Sequence, residues 1–66
     1  GRAELAVYDL RGRRVATVHE GHLEAGPQRF QWHGRDAAGR PVASGAYVAR
    51  LVMGESAVSR SVMLAR

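Results

Sequence analysis

The sequence predicts an all-β fold of short antiparallel strands, and three observations carry that reading. Glycines at 12, 21, 26, 34, 39, 45 and 54 leave almost no segment long enough for a stable helix. Between them lie short runs rich in Val, Tyr, Phe and Trp. Turn signals recur roughly every 8–12 residues between such runs, the spacing of a β-sandwich or barrel.

The first strand is read over Ala3–Asp9, with Leu5 and Val7 on one face and Glu4 and Tyr8 on the other. Leu10-Arg11-Gly12-Arg13 follows as a hairpin turn, with Asp9 placed to accept the backbone amides ahead of it. A second strand, Arg14–His19, carries Val15 and Val18, and Glu20–Pro27 is a polar connection. Gln28–His33 shows the clearest alternation: Phe30 and Trp32 face one way, Arg29, Gln31 and His33 the other. Ala46–Met53 sets Tyr47, Ala49 and Leu51 opposite Val48, Arg50 and Val52. The last strand is Ser56–Ala65, where Ser56, Ser59 and Ser61 argue against a helix because mid-helix serines compete for backbone bonds.

Between Trp32 and Tyr47 every unusual residue has a backbone role. Asp36-Ala37-Ala38-Gly39 suits a type I turn in which Gly39 takes a positive φ. Pro41 holds Arg40 extended and lacks an N–H, so Pro41–Ala43 is at best a short edge segment. Ser44-Gly45 makes a second corner. The expected turn residues are therefore Asp9, Gly12, Gly34, Asp36, Gly39, Pro41, Ser44 and Gly45, and the expected core is Leu5, Val7, Val15, Phe30, Trp32, Tyr47, Leu51 and Leu64.

Sixty-six residues make one domain, residues 1–66, with little depth for an enclosed active site. There is no cysteine to supply a disulfide or a thiolate ligand, and no apolar run approaches a membrane span. The net charge of +4 raises the question of nucleic acid. Yet all ten cations are arginines, scattered from Arg2 to Arg66, and only Arg11, Arg13 and Arg14 cluster. A solvated exterior accounts for them better than a phosphate-tracking surface.

The chemical candidates yield to plainer readings. His33, Arg35 and Asp36 resemble an acid–base set, but adjacent turn positions point in different directions, and no buried nucleophile is at hand. Ser44 lies in "VASGA", not in the G-x-S-x-G elbow of a serine nucleophile. His19, Glu20, His22 and Glu24 include metal-ligand types, but read as a polar loop. Phe30 and Trp32 read as core aromatics rather than base-stacking platforms. No catalytic residue, metal or cofactor is expected.

The runs "LAVYDLRGRRVATV", "LEAGPQRFQWHGRDAAGRPVASGAYVARL" and "SVMLAR" resemble a known family. They are similar to the immunoglobulin-like domain of the flagellar hook-capping protein and to the type IX secretion sorting-domain-like C-terminal domains of bacterial secreted and surface proteins. The shared positions are Val7, Tyr8, Asp9, Gly12, Arg13, Val15, Ala25, Gly26, Trp32, Gly34, Asp36, Gly39, Val42, Ser44, Gly45, Tyr47, Leu51 and Leu64. His33 departs from the pattern, which has an acidic residue after the tryptophan.

The resemblance implies an immunoglobulin-like antiparallel β-sandwich of about five to six strands, lacking the leading strand or strands of complete members. It implies the C-terminal part of a longer exported protein, extracellular or on the bacterial cell surface. The expected function is non-catalytic: sorting, anchoring or assembly through edge strands, with the first and last strands, at Val7 and Val62, as the edges. The expected partner is protein, whether the parent chain, the secretion machinery or another copy. The alternatives are a subunit of an extracellular filament closed by strand exchange, and Arg-mediated binding of nucleic acid or another polyanion. Strand pairing and polyanion binding differ in salt dependence, which is steep only for the second.

Overall fold

The computed structural model describes residues 1–66, and it is all-β. Four strands form: β1 (Arg2–Tyr8), β2 (Arg14–His22), β3 (Gly45–Met53) and β4 (Ser56–Leu64). They make one antiparallel sheet in the order β2-β1-β3-β4. Two hairpins, β1–β2 and β3–β4, are joined side by side through β1 and β3. The crossover between them, residues 23–44, holds no named strand.

The alternating pattern sorts the side chains as a pleated sheet requires. Ala3, Leu5 and Val7 pair with Met53, Leu51 and Ala49 on one face, which β4 continues with Val58 and Val62. The crossover lies against this face. Trp32 packs edge-on against Tyr47, ring centroids 5.0 Å apart, and Phe30 tilts against His19 at 5.2 Å. An apolar groove of about 180 Å³ remains between Phe30, Trp32 and the sheet residues Leu5, Val7, Val18, Ala49 and Val62. On the opposite face the Arg14 guanidinium bridges Glu4 Oε1 at 3.0 Å and the Tyr8 hydroxyl at 3.2 Å. Glu4 and Tyr8 flank Ala6, which is 1% exposed.

The core is shallow. Seven of 66 residues are buried. Val7 and Tyr47 are among them, while Leu5, Val15, Trp32, Leu51 and Leu64 are half-buried. Phe30, expected in the core, is 36% exposed. Ala3, Ala6, Ala16 and Leu23 are buried instead; the three alanines are small enough for backbone and neighbouring side chains to close over them.

Three expectations change. Gln28–His33 is not a strand: the segment crosses the sheet face, where the Phe30 and Trp32 side turns inward but no strand lies alongside to pair with. The strand count is four rather than five or six, and the irregular crossover takes the place of a second layer. The first strand, expected over Ala3–Asp9 at an edge, lies inside the sheet between β2 and β3, so Val7 is at no edge. Bounds shift as well. β2 runs on to His22 because Arg2 pairs with it, and Pro41 makes only an isolated bridge to Arg35.

Candidate functional site

The chemistry-bearing residues are held by local backbone partners rather than aimed at a common point. Asp36 Oδ1 accepts the Ala38 and Arg40 amides at 3.0 and 2.9 Å. Arg35 Nη1 donates to the Gly39 carbonyl at 2.9 Å, and Ser44 Oγ accepts the Arg66 amide at 3.1 Å. His33 is exposed beside them. His19, Glu20, His22 and Glu24 do not converge either. His19 packs on Phe30, Glu20 lies 3.7 Å from Arg2, and His22 pairs with Glu24 at 3.1 Å.

The expected turn positions resolve into one device used twice. Asp9-Leu10-Arg11-Gly12-Arg13 and Asp36-Ala37-Ala38-Gly39-Arg40 share the pattern D-x-x-G-R, each followed by one residue and a valine. Each Asp amide donates to the Arg carbonyl, at 2.9 Å in both turns. Each Gly amide donates to the Asp carbonyl, at 3.0 and 2.9 Å. Each Oδ1 accepts two amides, from Arg11 and Arg13 in the first turn. Each Oδ2 meets the Arg Nε, at 3.2 and 3.4 Å. Gly12 and Gly39 take φ of 87° and 83°, the left-handed region glycine enters without strain.

The electrostatics follow from that geometry. The Arg13 amide holds the Asp9 carboxyl below its ordinary pKa, and the Arg40 amide does the same for Asp36. In each case a second amide and the Arg side chain add to the effect against desolvation. Both carboxylates are thus engaged with their own turns. The repeat stands in the sequence at residues 9–13 and 36–40, but it leaves no mark on the strand alternation.

The two edges of the sheet differ. β2 carries two register shifts against β1, which leave Val18 and Val15 as extra residues. The Ala37 amide of the second turn donates to the Val15 carbonyl at 3.1 Å, so this edge is partly covered. Bulges and charged side chains are the usual protection of an edge strand. β4 has little of it. Its register with β3 is unbroken from Ser56 to Leu64, it holds no Gly or Pro, and Arg60 is its one charge. Residues 56–61 are exposed throughout, with Val58 at 52% and Met63 at 75%. Val62 lies on this edge.

After β4 the chain turns inward. Arg66 Nε donates to the Val42 carbonyl at 2.8 Å, and its Nη2 donates to the Gly34 carbonyl. Gly34 is buried with φ 72°, and a Cβ there would stand 2.7 Å from Arg66 Nη2 and 3.0 Å from Leu64 Cδ1. The last residue therefore latches the second turn to the sheet. No feature of the sequence beyond a basic terminal residue announced this.

A family model described as FlgD Ig-like domain matches residues 1–56. The chain belongs to that family. FlgD Ig-like domains are structural and non-enzymatic, and the family is related to the flagellar apparatus of bacteria. The FlgD Ig-like match runs through both turns and through β1, β2 and β3, and it stops at the first residue of β4. The open edge thus lies almost wholly beyond the matched residues. No curated protein and no solved structure matches the chain. No helix is long and apolar enough to cross a membrane.

Proposed function

We propose that the chain is a non-catalytic interaction module of an exported bacterial protein, acting outside the cell or at its surface in assembly, anchoring or sorting. The observation that carries this reading is the open edge of β4. A nine-residue strand with unpaired backbone groups is a template for a partner strand, and main-chain hydrogen bonds supply the attraction. Flagellar-related family membership supports a protein partner.

The arginines support a polyanion less well. Arg2, Arg13, Arg14 and Arg40 face carboxylates, while Arg35 and Arg66 donate to backbone carbonyls. Arg11, Arg29, Arg50 and Arg60 remain, on a hairpin tip, the crossover and two opposite sheet faces. They form no stripe that a phosphate backbone would follow.

The test is site-specific photo-cross-linking in the bacterium that makes the protein, with the reactive side chain at Val58 on β4 or at Thr17 on β2. Protein adducts are expected from Val58 and not from Thr17. Adducts with nucleic acid, or none from either position, would overturn the reading. Replacing His33 or Ser44 with Ala should leave the Val58 adducts in place.

A further inference from the structure

We propose that β4 pairs antiparallel with β4 of a second copy of this chain, about a twofold axis at Ser61. The proposal rests on the reading of β4 as an interaction edge and names its partner. It joins two four-stranded sheets into one.

The number of open edges decides the form of the assembly. A molecule with two free edges propagates head to tail, whereas one with a single free edge closes as a pair. Two bulges break the β2 edge and the second turn is seated on Val15, whereas β4 is unbroken and uncapped by any such contact, so β4 is the edge that can take a full-length partner strand. Arg66 folds back over Ser44 and Val42 and not across this edge.

The register follows from the side chains. A twofold perpendicular to the sheet keeps each face continuous, so residues of one face must oppose residues of the same face. Centring the axis on Arg60 would set two guanidinium groups directly opposite, which is repulsive. Centring it on Ser59 would set Val58 against Arg60 and Ser56 against Val62, and would leave Leu64 unpaired. Centring it on Ser61 sets Val58 against Leu64, Arg60 against Val62 and Ser59 against Met63. That register covers Val58 and Met63, the two most exposed large apolar residues of β4, and moves the arginines to a diagonal.

The chain has no cysteine, so an introduced one reports without background. Ser61 and Ser59 are both exposed on the face away from the crossover, so neither substitution touches the core. Oxidised Ser61→Cys should form a disulfide dimer on a non-reducing gel, because opposed strand residues lie within disulfide reach. Ser59→Cys should stay monomeric on that gel, because its twin is displaced by four residues, roughly 13 Å along the ladder. Sedimentation of the unmodified protein should show a dimer that is nearly indifferent to salt. Cross-linking of Ser59→Cys as fast as Ser61→Cys would overturn the register. A monomer at millimolar concentration would overturn the pairing itself, and Val58 photo-adducts with a different protein would then leave the interaction reading standing.

Discussion

The first and second Asp turns have the same hydrogen bonds and different surroundings. In each, the residue before the Asp faces the residue after the Arg: Tyr8 pairs with Arg14, and Arg35 bridges Pro41. The likeness ends just beyond those pairs. The first turn opens into β1 and β2, which run for seven and nine residues. The second reaches only the bond from the Val42 amide to the Gly34 carbonyl and stops. Side chains take the carbonyls around that bond: Trp32 Nε1 donates to Arg35, the Tyr47 hydroxyl to Ala43, and Arg66 to Val42 and, beside the Val42 amide, to Gly34. A turn is therefore encoded locally, whereas a strand needs a neighbour. Where side chains satisfy the backbone first, no ladder grows.

The residues two places before each Asp offer the strongest way to break the comparison. Val7 is 2% exposed in the middle of the sheet, and Val7→Ala should cost about 2 kcal/mol, or a melting point lower by about 10 °C. Thermal unfolding followed by circular dichroism checks it. At the equivalent place in the second turn, Gly34→Ala meets both a positive φ and the Arg66 latch. It should cost about 1–2 kcal/mol from the backbone alone. Its clearest sign should be loss of protection from hydrogen exchange at Val42 and Arg66 while β1 and β2 stay protected. Uniform loss across the sheet would mean that the second turn folds as one unit with the first.

The glycines of the turns sharpen the likeness. A Cβ at Gly12 or Gly39 meets nothing within 4 Å, so only the left-handed φ is at stake. Gly12→Ala and Gly39→Ala should each cost about 1 kcal/mol in denaturant unfolding. A clearly larger loss at Gly39 would show that its surroundings, and not its own geometry, hold the second turn.

The same distinction explains what the sequence disclosed. The two hairpins were legible because alternation and turn residues are both local. So was the turn chemistry of Asp9, Gly12, Asp36 and Gly39. Gln28–His33 misled because alternation reports only that a segment has an inner and an outer side. Phe30 and Trp32 do face the sheet, yet pairing needs a free edge beside them. That Val7 lies inside the sheet, and that β4 rather than β1 is the open edge, follows from the β1–β3 pairing. No single segment carries that information. The Arg66 latch was illegible for the same reason, since its acceptors at Gly34 and Val42 lie far back along the chain.

The smallest expected effect concerns acid. Both turn carboxylates are held below the ordinary value of 3.8 in the folded chain, first by the Arg13 and Arg40 amides. A folded-state pKa below the unfolded one stabilises above the unfolded value, and that contribution is lost as pH falls through the folded value. Melting points should thus decline as pH falls below about 4, in addition to any general acid effect. Asn at either position keeps an oxygen for the two amides and removes both the charge and the proton. Asp9→Asn should flatten the acid decline in global melting, because its turn joins two strands of the sheet. Asp36→Asn should leave the global curve nearly unchanged and speed hydrogen exchange at Ala38 and Arg40, because its turn closes a loop. An equal flattening by both variants would show that the loop and the sheet unfold together, and the difference drawn between the two turns would then be one of shape without consequence for stability.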